Sequence, residues 1–401
     1  MKTLYEYYKT QEVLPTYAGL ADEAALLRYM SARESVFRDR LGLPTQLFHG
    51  RRVVEFGPDS GENALVFARW GARLVLVEPN PKAHARIQEY FERFGCAASL
   101  ERIAEADVLG FVDDDGCDFV VAEGFIYTVQ PSSAWLAAFR RLLHDDGMFF
   151  VNYMERTGGC VELCWKALHA AYCRQTTTTA AAAARRLFTV KWDSISHTRT
   201  FESWTMDVLQ NPFVRARCFV DAHAFIDDVT AAGFELQSTF PAYEDRARIE
   251  WHKTRVDAAE RLRRAHAGVR ACQVGFLAGT KLVAIDPPAI AAALDSARAL
   301  ALDVDLLIDG DDDDASARVV STFRSLAAHI REGAFMAQDA DAKRDAAAVF
   351  DALAQAFDVA AAGDMEALIK LLETDKPLIG AWGTPTHLVV GRVSHRLEER
   401  A

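Results

Sequence analysis

No run of about 18 uncharged apolar residues occurs anywhere in these 401 residues, which excludes a helical membrane span. Basic charge is also scarce: 45 Lys+Arg stand against 57 Asp+Glu, a formal net charge of −12. Nucleic acid is therefore a disfavoured partner, because phosphate binding needs a positive face. The seven cysteines are odd in number and scattered, and the opening MKTLYEYYKTQEVL lacks the apolar core of a signal peptide. Reduced thiols in the cytoplasm are the expectation. Metal chemistry is missing too. Cys160, Cys164 and Cys173, with His169 nearby, read as core cysteines of a helix. The acidic run IDGDDDDASA (308–317) lacks the spacing and closing glutamate of a calcium loop and reads as a solvated loop.

What is present is an α/β pattern. The first fifty residues are helical in pattern and carry Tyr5, Tyr7, Tyr8, Tyr17 and Tyr29. Short β-branched runs then alternate with amphipathic stretches, as in a doubly wound parallel sheet. Strands are expected at 51–57, 72–79, 98–103, 117–124, 147–154, 234–241 and 274–285. The long gap between the fifth and sixth is an insertion at about 156–218, where one crossover helix would suffice. Its string VKWDSISHTRTFESWTMDVLQNPF (190–213), with Trp192, His197, Arg199, Glu202, Trp204 and Asp207, reads either as the wall of a site or as an ordinary packed excursion. Residues 289–401 read as a mainly helical C-terminal region ending in one strand within AWGTPTHLVVGRV (381–393). The division expected is thus 1–50, 51–288 and 289–401.

The densest signal is VVEFGPDSGENALVFARWGARLVLVEPN, residues 53–80. A strand runs into Gly57-Pro58-Asp59-Ser60-Gly61 and directly on into a helix. Glycines at such a turn let a ligand approach the backbone, and the helix start supplies free N–H donors. Glu78 ends the next strand, placed to accept the hydroxyls of an adenosine ribose. A nucleoside-containing cofactor follows. A dinucleotide loop would read G-x-G-x-x-G; here it is G-x-x-x-G, and Asp59 and Glu62 would repel a pyrophosphate. Those acids, with Glu55 on the first strand, match a cation.

At these residues the chain resembles the class I S-adenosylmethionine-dependent methyltransferases, whose first motif is an acidic residue followed by x-G-x-G-x-G. It stands here as Glu55-Phe56-Gly57-Pro58-Asp59-Ser60-Gly61, with Asp59 in place of the middle glycine. The resemblance implies a Rossmann-like, seven-stranded fold with an N-terminal helical cover. It implies S-adenosylmethionine as cofactor, with Glu55, Gly57, Pro58, Ser60 and Gly61 toward the methionine moiety and Glu78 and Pro79 at the ribose. Asp107 and Val108 would lie near adenine, and Glu123 where cofactor and acceptor meet.

If the acceptor is a hydroxyl or an ammonium, a base must take its proton. The candidates are Glu123, His197 and the N-terminal tyrosines, Tyr17 among them; Tyr7, Tyr8 and Tyr17 could also cover the cofactor. No [DN]-P-P-[YF] follows the fourth strand, where AEGFIYTV stands, so the acceptor expected is a small molecule rather than a base in nucleic acid. Lys191, His197 and Arg199 hint at an acidic acceptor. Two other readings remain open: an NAD(P)-dependent oxidoreductase, and a noncatalytic subunit of the same fold. A homodimer or a protein partner through the C-terminal region is compatible with all three.

Overall fold

The computed structural model describes Glu6 and residues 19–194, 200–244, 251, 253, 254, 256–310, 312 and 314–394. The chain forms two compact units. The first comprises Met1–Tyr153, His223–Leu262 and His387–Ala401; the second comprises Met154–Ala222 and Arg263–Thr386.

The first unit is built on a seven-stranded sheet. Its strands are β1 (Arg52–Phe56), β2 (Arg73–Val77), β3 (Leu100–Ala104), β4 (Cys117–Ala122), β5 (Leu143–Met154), β6 (Phe234–Phe240) and a last strand, Thr386–Val393. In space they run β3-β2-β1-β4-β5, then the last strand, then β6. β3 to β5 pair in parallel, and β6 runs antiparallel to the last strand. The central runs are largely apolar because parallel strands are covered on both faces; all five residues of β1 are buried, the charged Arg52 and Glu55 among them. The order reverses direction beside β1, which puts the ligand-binding crevice of such folds at the carboxyl ends of β1 and β4.

Helices α1 (Glu23–Ser35), α2 (Glu62–Arg69), α3 (Pro81–Arg93) and α4 (Ser132–Leu142) flank the sheet. Asp22 caps α1 by accepting from Ala25 N–H, and Asn80 caps α3, which opens on Pro81. Alternation along β5 separates two cores. Phe150 packs on Phe37, which in turn meets Phe48 and Phe67, whereas Phe149 meets Phe139 and Phe234 and Tyr153 meets Phe225.

The first six expected strands are present, within a few residues of their expected bounds. The seventh is a correction. Residues 274–278 lie at the end of the helix Ala258–Ala278, and only Leu282–Ala284 is extended, in a separate two-stranded sheet with Phe335–Ala337. A short apolar run bounded by glycine reads equally as a buried strand or as a helix end. The sheet is completed instead by Thr386–Val393, the strand expected at the C-terminal end.

The second unit contains α5 (Cys160–Thr176), α6 (Ala180–Trp192) and the helices Ala291–Asp309, Ala315–Arg331, Ala340–Ala361 and Met365–Thr374. Asp311 and Asp313 of the aspartate run lie outside the described residues, whereas Asp309 and Asp312 of the same run are ion-paired. Arg318 pairs with Asp303 and Asp312, and Arg215 with Asp305 and Asp309. Trp192 and Trp204 are buried and pack together, centroids 5.4 Å apart, so the packed-excursion reading holds for them. Lys191 is unavailable to any acceptor. It is fully buried, and its ammonium donates to the carbonyls of Leu378, Ile379 and Ala381 at 3.3, 3.1 and 2.6 Å, between the rings of Trp165 and Trp382. His197 and Arg199 lie outside the described residues.

Candidate functional site

Strand register lines up the site. Phe56 pairs with Val77 and with Ala122, so Gly57, Glu78 and Glu123 follow directly at three adjacent strand ends. Val77 pairs with Ala104, and Asp107 stands three residues beyond the end of β3.

The turn after β1 has the backbone its sequence demands. Gly57 and Gly61 have φ of 61° and 91°, and Asp59 has 51°. Asp is among the few residues that tolerate the left-handed region, which explains how it stands where a glycine is usual. A Cβ on Gly57 would come within 2.6 Å of the Phe125 ring, so the turns after β1 and β4 are in close contact. Ser60 is fully buried, and its hydroxyl donates to Glu62, whose carboxylate sits at the start of α2 where the helix dipole favours it.

Glu78 is fixed by its neighbours. Its Oε1 accepts from Asn80 N–H at 2.8 Å and its Oε2 from Asp59 N–H at 3.1 Å, while its carbonyl accepts from His84 Nε2 at 2.7 Å. Burial nevertheless pushes its pKa up to about 7. Glu55 is pushed further, to about 8, first by burial and then by the charge of Glu123, with Glu62 and Glu78 adding to it and Arg33 opposing. Its Oε2 is buried with no hydrogen-bond partner among the described residues. Pro58 is buried in the turn after β1, and Pro79 is half-buried after Glu78. Asp107 is exposed; its Oδ1 accepts from Gly110 N–H at 2.6 Å, and Val108 beside it is buried.

Glu123 is clamped. Arg33 of α1 donates from Nη1 to Oε2 at 2.9 Å and from Nη2 to Oε1 at 2.5 Å. Asn152 on β5 donates to Oε2 at 3.5 Å and accepts from Gly124 N–H. One turn before Arg33, Tyr29 donates to Asn63 Oδ1 at 2.7 Å, in the first turn of α2. Burial raises the Tyr29 pKa. Arg33, Asn63 and Asn152 escaped the sequence reading. The signal that could have found Arg33 is the stripe Leu26, Tyr29, Arg33, Phe37, one helical face that holds a charge among apolar and aromatic residues. Tyr17 and His197, expected as catalytic groups, lie outside the described residues, as do Tyr7 and Tyr8.

Residues 26–239, more than half of the chain, match a family model described as a methyltransferase domain. The chain belongs to the class I S-adenosylmethionine-dependent methyltransferase family. No curated protein sequence matches it. Among solved structures, the methyltransferase-family chain is similar to the N-methyltransferase NodS from Bradyrhizobium japonicum WM9 in complex with S-adenosylhomocysteine, at 15% identity and a TM-score of 0.28, covering 37% of this chain and 74% of that one. It is also similar to the 1,6-didemethyltoxoflavin-N1-methyltransferase of Burkholderia thailandensis, at 18% identity and a TM-score of 0.25, covering 38% and 59%. The chain spans about half the length of the first solved structures it matches. Among the described residues no helix is long and apolar enough to cross a membrane, and no group of three or more His, Cys, Asp or Glu could hold a metal ion.

Proposed function

We propose that this chain is an enzyme that transfers a methyl group from S-adenosylmethionine to a small-molecule acceptor. The observation that carries this reading is the row of carboxylates, Glu55, Glu62, Glu78 and Glu123, around a left-handed glycine turn at adjacent parallel strand ends. That donor set fits a phosphate-free cation and repels a diphosphate. The Oε2 of Glu55, buried and without a partner among the described residues, suits an ammonium by hydrogen bond or a sulfonium by charge.

In this reading Glu78, already held by two backbone N–H groups, takes the ribose hydroxyls, with Pro79 beside it. Gly57, Pro58, Ser60 and Gly61 let the methionine end approach the backbone. Asp107 and Val108 border the adenine. The bound donor supplies a methyl group already activated by the sulfonium charge. The protein's own work is alignment and exclusion of water. Glu123, with Tyr17 and His197, is the group we assign to the acceptor's proton. We place the reaction in the cytoplasm, with a homodimer or a protein partner through the helical C-terminal region.

Calorimetry tests the donor. S-adenosylhomocysteine is expected to bind and NAD to give no heat; the reverse result removes the reading. Incubation of the protein with labelled methyl donor and a metabolite extract tests the chemistry, and a labelled small molecule is expected. A protein that binds S-adenosylhomocysteine and labels nothing favours the noncatalytic subunit instead.

A further inference from the structure

Helix α1 brings one cation to a place otherwise set with acids. Arg33 is well buried, its guanidinium within 5.4 to 6.0 Å of the rings of Phe37, Phe67 and Phe150. The charges acting on neighbouring Glu55 are those of Glu123, Glu62 and Glu78, with Arg33 the cation set against them. Two Nη groups of Arg33 are spent on Glu123, yet its Nε–H is buried with no acceptor among the described residues. A buried donor without a partner is costly, and a guanidinium can offer Nε and one Nη together as a fork for a carboxylate.

S-adenosylmethionine carries three charges near its reacting end: a sulfonium, an ammonium and an α-carboxylate. The acids suit the first two. The third would meet Glu55 and Glu123 at close range, which is repulsive unless a cation answers it. We propose that Arg33 is the specificity residue for that carboxylate, and that its guanidinium passes from Glu123 to the amino-acid end of the donor, leaving Glu123 released toward the acceptor. This rests on the methyl-donor reading above. It makes the Arg33–Glu123 pair a latch that a carboxylate-bearing donor opens and a plain nucleoside thioether does not.

Two ligands separate the possibilities: S-adenosylhomocysteine, which has the amino-acid end, and 5′-methylthioadenosine, which lacks it. Calorimetry on Arg33→Met is expected to show S-adenosylhomocysteine weakened by roughly 30-fold or more, with 5′-methylthioadenosine changed by less than about 3-fold. Glu123→Gln removes the competitor for Arg33 and is expected to tighten S-adenosylhomocysteine several-fold while leaving 5′-methylthioadenosine unchanged. Because Arg33→Met strands a buried carboxylate, the double variant Arg33→Met/Glu123→Gln is measured beside it; if folded by thermal melting, it shows the same selective loss. Equal weakening of both ligands, or no change in either, overturns the assignment. Weaker S-adenosylhomocysteine binding by Glu123→Gln overturns the handover. Wild-type protein that binds neither ligand removes the donor reading itself, an outcome distinct from all of these.

Discussion

Glu55 shows how a single side chain sets the conditions under which the site works. With a pKa of about 8 it is mostly protonated at neutral pH, because burial and nearby carboxylates disfavour its charge. A bound cation would favour the charged form and expel the proton. Donor binding at pH 7 is therefore expected to release close to one proton, read by calorimetry in buffers of different ionisation enthalpy, and Glu55→Gln to abolish the release. The same group affects stability. Its folded pKa lies above the unfolded value, so the folded state holds the extra proton between about pH 4.5 and 8, and stability falls as pH rises through that window. Glu78 and Glu155, each pushed to about 7 by burial, act in the same direction. The melting temperature is expected to drop between pH 5 and pH 8.5, and to drop less in Glu55→Gln. Gly57→Ala combines a left-handed backbone with a collision against Phe125. It should cost at least about 1–2 kcal/mol in urea unfolding and weaken S-adenosylhomocysteine sharply.

At the scale of elements, strands and turns were more legible than contacts between distant segments. The run from Val53 to Asn80 declares itself because strand, turn and helix are contiguous, and each demands a local conformation that its residues prefer. The Arg33–Glu123 pair does not, since its members are 90 positions apart and only packing of α1 on the sheet brings them together. The last strand has the same difficulty: LVV reads as extended wherever it lies, but its neighbours β5 and β6 cannot be inferred from periodicity. What ties it there includes a buried relay. Tyr153 on β5 meets Tyr243 just beyond β6 at 2.5 Å, and Tyr243 meets Nδ1 of His387 at 2.6 Å. Its residues lie on the face opposite Arg33 and Glu123, beside Phe225. Tyr243→Phe is expected to cost about 1–3 kcal/mol by urea unfolding, with S-adenosylhomocysteine affinity unchanged; a loss of affinity would give the relay a part in the site.

For the whole molecule, the decisive fact is that Arg33 and the donor-site residues from Glu55 to Glu123 all lie in the first third of the chain, yet the sheet that holds them ends with residues 386–393. Removal of everything after residue 385 is expected to abolish cooperative unfolding and S-adenosylhomocysteine binding, although no proposed ligand contact is deleted. Circular dichroism and calorimetry on the truncated chain check this. The family match stops at residue 239, and the seventh strand arrives some 145 residues later, after the helices of the second unit. Synthesis inherits that order. At about 5–20 residues per second, roughly 7–30 s separate the emergence of β6 from that of its partner. For that interval the nascent sheet presents the unpaired backbone edge of β5 to the cell, an invitation to pairing with other chains that slower growth or a holdase would blunt.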